Sequence, residues 1–164
     1  MSEIVKTLLL GFDGKTFEAP GSCPQCQCEN AYAVGYNEKI LAIIIEGGNF
    51  KKIKVKVKRF RCKECGEHYY ASDTPFYPQC DYGKMIVDLC LYLAEKQRPP
   101  TVENTLKNLG LQIDRDTVAR YTRLFPERGK QLRSRLPGIE ADLLRILIES
   151  EASFDGGSAH SKGS

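Results

Sequence analysis

The sequence predicts an α+β fold: a small metal-stapled β module over residues 1–73, an all-α segment over residues 74–150, and a disordered tail over residues 151–164. Three observations carry this. Two Cys-x-x-Cys pairs, Cys23/Cys26 and Cys62/Cys65, flank a strand-turn-strand pattern. Across residues 50–61, Ile53, Val55 and Val57 alternate with Lys52, Lys54, Lys56 and Lys58, which is the period of a half-buried strand. From Thr74 onward, apolar residues recur instead at three and four, the period of a helix.

Residues 1–20 give short apolar stretches broken by Gly11, Gly14 and Pro20, enough for one edge strand. Residues 32–36 and the isoleucine-rich residues 40–46 read as strands, and Gly47-Gly48-Asn49 is a hairpin turn signal. The returning strand delivers Cys62 and Cys65, so a hairpin joins the two cysteine pairs in a zinc-ribbon layout. Thr74-Pro75-Phe76-Tyr77-Pro78 is irregular. Asp81 then reads as the N-cap of a helix carrying Met85, Ile86, Leu89, Cys90 and Leu93, which runs to Gln97 and is ended by Arg98-Pro99-Pro100. Thr101 caps a second, short helix with Val102, Leu106 and Leu109, stopped by Gly110. Asp114 caps a third, with Val118, Tyr121, Leu124 and Phe125 on one face. A short helix, a glycine-containing turn and a second helix form the helix-turn-helix pattern. Residues 139–148 make one more amphipathic helix, and the Gly/Ser-rich end carries no signal.

With 164 residues, 41% hydrophobic and 27% charged, the chain has room for one domain or two small ones, and none for a polymerase or kinase beside a recognition module. Its longest apolar run, residues 40–45, is far short of the ~20 that a helical membrane span needs. The N-terminus lacks a secretory pattern, so the expected location is cytoplasmic and nucleoid-associated, with no membrane partner. Seven cysteines in tight clusters make a poor disulfide framework in a reducing compartment, and metal binding is the better use. The net charge of +3 is unevenly spread: −3 over residues 1–50, +4 over 51–97, +5 over 98–136 and −3 over 137–164. A basic middle between acidic ends points to a polyanion as partner.

Structural zinc takes four thiolates in a tetrahedron, and each Cys-x-x-Cys turn offers two to one ion. Cys23, Cys26, Cys62 and Cys65 are therefore the expected Zn2+ ligands. Cys28 offers alternative pairings with Cys23 or Cys26, but the two-residue spacer of Cys23/Cys26 matches the second pair. His68 is not needed once four cysteines fill the shell. A closed four-thiolate site has no open position for water, and no base is placed to activate a thiol, so no catalytic residue is expected and the chain is read as a binder rather than an enzyme.

Residues 51–63 hold 8 Lys/Arg in 13 positions. Lys54, Lys56 and Lys58 either keep an edge strand soluble or track phosphates, with Phe60, Tyr69 and Tyr70 nearby as stacking groups. The helix at residues 114–125 is more specific. With Val118, Tyr121 and Phe125 buried, its other sides carry Arg115, Asp116, Thr117, Arg120 and Arg123. Arg115 and Arg120 suit guanine O6/N7, whereas Thr117 and Arg123 suit phosphate.

The ordered set of "CPQC", a hairpin, "RFRCKECG", an aromatic pair, "DTPFY" and "DTVARY" resembles the N-terminal DNA-binding region of insertion-sequence (DDE-type) transposases, over about residues 21–126. The resemblance implies zinc at the four cysteines and terminal-repeat recognition by the 114–125 helix. The family continues into an RNase H-like catalytic domain with three carboxylates on separate strands. Asp142, Glu149, Glu151 and Asp155 instead fall on one helix and its tail, which implies a recognition module alone: a regulator, a domesticated derivative or a truncated piece. The expected function is sequence-specific binding of double-stranded DNA in transposition or transcription regulation. The competing readings are an RNA or single-strand binder using the lysine strand, and a protein-interaction adaptor. In the adaptor, the 139–148 helix would meet a second copy or a transposase partner.

Overall fold

A computed structural model describes residues 3–135, which form a mixed α and β fold with a four-stranded sheet and five helices. The expected 139–148 helix, the tail and its carboxylates lie outside the described residues. The chain opens with α1 (Glu3–Leu10), where sequence reading expected only short apolar stretches. Leu9 and Phe12 are buried, and the expected edge strand shrinks to β1 (Thr16–Phe17).

The two predicted strands of the first hairpin arm are one long strand, β2 (Ala31–Glu46), paired antiparallel with β3 (Asn49–Cys62). Register shifts between Ala33 and Gly35 and between Ile40 and Ala42 fall inside the two predicted pieces, while Asn37, Glu38 and Lys39 between them pair regularly with β3. The connection is Gly47-Gly48 with φ of 54° and 83°; positive φ at both central residues is the type I′ requirement, and glycine meets it without strain. Short β4 (His68–Tyr70) runs antiparallel to the end of β3, and β1 runs parallel to its middle.

The alternation read from the sequence holds. Ile53, Val55 and Val57 are fully buried, while Lys52, Lys54 and Lys56 are exposed. Farther along β3 the buried parity changes to Phe60 and Cys62, because the strand leaves the helices and enters the cysteine knuckles. One apolar core then runs from the sheet residues Leu41, Ile44, Ile53 and Val55 into Met85, Leu89, Leu106 and Val118 of the helices.

Helix α2 (Lys84–Ala94) starts two residues later than Asp81 suggested and is capped by Gly83. The Gly83 amide donates to the Leu41 carbonyl at 2.9 Å, which ties the helix start to β2. In α3 (Pro99–Asn108) the two prolines open the helix instead of closing the previous one, and Arg98, not Thr101, is the N-cap. Proline fits a first turn because the amides there have no intrahelical acceptor to lose. Asp114 caps α4 (Arg115–Leu124) as expected, its Oδ1 accepting from the Thr117 amide at 2.8 Å. A further helix, α5 (Arg128–Arg135), occupies a stretch for which the sequence predicted no element; Leu132 buries it against the core. Between α3 and α4, Gly110 and Gln112 exchange backbone bonds of 2.8 and 3.0 Å with Ile45 and Ile43, so the turn is fastened to the sheet. No helix among the described residues is long and apolar enough to cross a membrane.

Candidate metal centre and basic surfaces

Two turns of identical design bring the four cysteines together. In the first, the Gln25 amide donates to Cys23 Sγ at 3.4 Å, and the Gln27 amide donates to the Cys23 carbonyl at 2.8 Å. In the second, the Glu64 amide donates to Cys62 Sγ at 3.4 Å, and the Gly66 amide donates to the Cys62 carbonyl at 3.0 Å. Each turn also receives a closing bond five residues on: Cys23 N–H to the Cys28 carbonyl at 2.8 Å, and Cys62 N–H to the Glu67 carbonyl at 2.9 Å. This correspondence answers the ambiguity of CPQCQC. Cys28 occupies the place of Glu67, its thiol accepting from the Asn30 amide at 3.3 Å, and is not part of the cluster.

The four Sγ atoms of Cys23, Cys26, Cys62 and Cys65 lie within 4.8 Å of one another, with the closest approaches, Cys23–Cys65 and Cys26–Cys62, at 3.5 Å. A tetrahedron with metal–sulfur bonds of about 2.3 Å needs sulfurs roughly 3.8 Å apart, so the set fits a zinc ion. The amide of Cys65, with that of Glu64 behind it, draws the Cys62 thiol down to about 7 against the opposing cost of desolvation. Those donors are fixed by the turn and stabilise thiolate, which is the form a metal requires. His68 stands apart, its Nδ1 accepting from Arg59 at 3.2 Å. Cys80 and Cys90 are buried elsewhere, and burial pushes both thiols up.

The symmetry of the turns carries one cost. The fifth residue must take positive φ, and Gly66 (79°) does so freely while Gln27 (67°) does not. Gln27→Gly is expected to stabilise the zinc-loaded chain by a few tenths to about 1 kcal/mol, after the larger unfolded-state entropy of glycine is subtracted. Urea unfolding at constant zinc measures it, and a loss of stability would show that the Gln27 side chain makes a contact worth more than the strain.

The predicted basic residues are not equally open. Lys54 pairs with Glu38 at 3.7 Å and Lys58 with Glu18 at 3.9 Å, and Lys58 also lies over the Tyr36 and Phe60 rings at 5.8 and 5.7 Å. Lys56 is exposed and has no ion pair among the described residues. On α4, Arg115 holds Glu103 through Nε at 3.1 Å and a terminal nitrogen at 2.9 Å. Arg120 donates to the Gln79 carbonyl at 3.1 Å and to Asp81 at 3.0 Å. Thr117 is taken up by the cap, its hydroxyl donating to Asp114 at 3.1 Å. Asp116 and Arg123 project outward. The partners Glu103 and Asp81 escaped sequence reading because they lie 12 and 39 residues from their arginines. The nearer one, Glu103, could have been found only by knowing how α3 packs on α4.

Fold and site together define a mixed α and β chain with four cysteines close enough to hold one metal ion. Compared with known proteins, the chain matches no family model, no curated protein and no solved structure.

Proposed function

We propose that the chain is a zinc-stapled module that binds a specific site in double-stranded DNA through α3 and α4, as a helix-turn-helix does. The observation carrying this reading is the α3–α4 pair. Its inner residues Val102, Leu106, Val118 and Tyr121 are fully buried, and its turn is fastened to the sheet. The outer side of α4 carries Arg115, Asp116 and Arg123 near the helix start and along its open face. A helix locked from behind, with polar side chains ahead, is what groove entry requires. Arg115 and Arg120 would exchange their carboxylate partners for base edges, and the exchange is inexpensive because the pairs they leave are solvent-accessible. The zinc is structural in this reading, and the family resemblance suggests transposition or transcription control as the setting.

Selection from a random duplex pool, beside single-stranded RNA, across salt and with or without chelator, tests it. The expected result is zinc-dependent enrichment of one duplex sequence. Arg115→Ala and Arg120→Ala should each cost about 1–3 kcal/mol at the base pair read and relax specificity there. Arg123→Ala should weaken all sequences alike. A second reading is favoured by exposed Lys54 and Lys56 with Tyr36, 48% exposed, opposite Lys58: a stacking surface for single strands. Salt-sensitive binding without enrichment, or preference for the single strand, selects it over the first.

A further inference from the structure

A cavity of about 460 Å³ opens between β4, the loop after it and the first cysteine turn, and neither reading above uses it. Its wall includes Lys39, Tyr70, Thr74, Phe76 and Gln79. Lys39 is the unusual member. It projects from β2, is half-buried, and has its ammonium 4.2 Å from the centre of the Phe76 ring and 5.3 Å from that of Tyr70. It forms no hydrogen bond or ion pair among the described residues; the carboxylate that acts on it most through charge, Asp81, is committed to Arg120 at 3.0 Å. Burial accordingly lowers the pKa of Lys39, with Asp81 only partly opposing it. Tyr70 is held in place: its hydroxyl accepts from Asn37 Nδ2 at 2.7 Å, which fixes the ring.

A cation that has given up water for two ring faces lacks an anion to complete it. The volume lies within the roughly 300–1,000 Å³ of small-molecule sites, too large for an inorganic anion alone. A fixed tyrosine ring, 38% exposed, offers a stacking face. We propose that this cavity binds a nucleoside 5′-monophosphate group, with the phosphate on Lys39 and the base against Tyr70. The group has two sources, a free mononucleotide or the 5′-phosphorylated end of a strand. The proposal puts no residue of α4 against the ligand; α4 enters it only through Arg120, which holds Asp81.

The test is a titration of the full zinc-loaded chain with adenosine monophosphate and with adenosine, read by amide NMR shifts. Shifts should map to Lys39 and residues 69–79, and adenosine should bind at least about tenfold more weakly. Lys39→Met, which keeps the aliphatic stem, should erase the difference between the two ligands. Equal binding of both ligands, or no movement of those amides at millimolar ligand, overturns the site. Should Lys39→Met fail to fold, the wild-type map and the ligand pair decide on their own. Trinucleotides with and without a 5′-phosphate separate the sources: tighter binding of the phosphorylated strand than of the monophosphate points to a strand end, and the reverse to a free mononucleotide.

Discussion

Cys62→Ser is expected to lose stoichiometric zinc and to unfold the cysteine-bearing end of the molecule while the helices stay folded. From residue 18 to residue 30 the one buried side chain is Cys23, and from residue 61 to residue 70 it is Cys62. These segments have no apolar core of their own, so an ion held by the four thiols would stand where a core would be. Structural zinc contributes about 10–16 kcal/mol of apparent binding free energy in small zinc peptides. A whole domain has about 5–15 kcal/mol of stability. Losing the ion therefore exceeds what the backbone bonds of two turns can hold. The buried ligands should matter most. At Cys26 and Cys65, which are exposed, water can enter as a substitute fourth ligand, whereas at Cys23 and Cys62 it cannot. Native mass spectrometry gives the zinc count, and hydrogen exchange gives the extent of unfolding. Cys28→Ser is the control and should keep its zinc; loss of zinc there with retention in Cys62→Ser would move the centre to a different set of thiols.

The centre was legible in the sequence because it is local. Two Cys-x-x-Cys turns with a hairpin between them are readable at short range, and so is the alternation of β3 over residues 52–57. The same holds for the Asp114 cap, where side chain and amide are three residues apart. What escaped was set by distant partners. Asp81 has the composition of an N-cap, but Arg120 draws its carboxylate away, and the helix begins at the next residue able to close its first turn, Gly83. Pro99-Pro100 could end one helix or begin the next, and local preference does not choose. The continuity of β2 was hidden by the polar stretch Asn37-Glu38-Lys39 between its two apolar ones, which nonetheless pairs regularly with Val57, Lys56 and Val55. The cavity beside Lys39 is made by residues from β2, β4 and the loop after β4, a juxtaposition no window of sequence contains. Helix α5 was missed for a related reason: few of its residues are apolar, and charge pairing holds it in place.

That charge pairing predicts the second large effect. Asp88, 2% exposed on α2, accepts from Arg128 Nε at 3.1 Å and from a terminal guanidinium nitrogen at 2.9 Å, and from the Tyr77 hydroxyl at 2.9 Å. The Arg128 guanidinium is raised further above its already high range by its hydrogen bonds to Asp88. The carboxylate thus joins three elements: α2, the proline-rich loop and α5. Asp88→Ala should cost about 3 kcal/mol or more, because it leaves a desolvated guanidinium and a tyrosine hydroxyl without their acceptor. Tyr77→Phe removes only one neutral donor and should cost about 1 kcal/mol. Urea unfolding distinguishes this account from a simple packing loss. If the cost lies in the stranded charge, Asp88→Leu combined with Arg128→Met should recover most of the stability, since an apolar pair of similar volume has no charge to desolvate. If the double variant is no better than Asp88→Ala, the ion pair is not the source, and α5 is held instead by Leu132 and by Arg133, whose guanidinium lies 4.1 Å from the centre of the Tyr92 ring. The zinc count should be the same in every variant of this series, because the pair acts on the helical side of the core and leaves the cysteine turns intact.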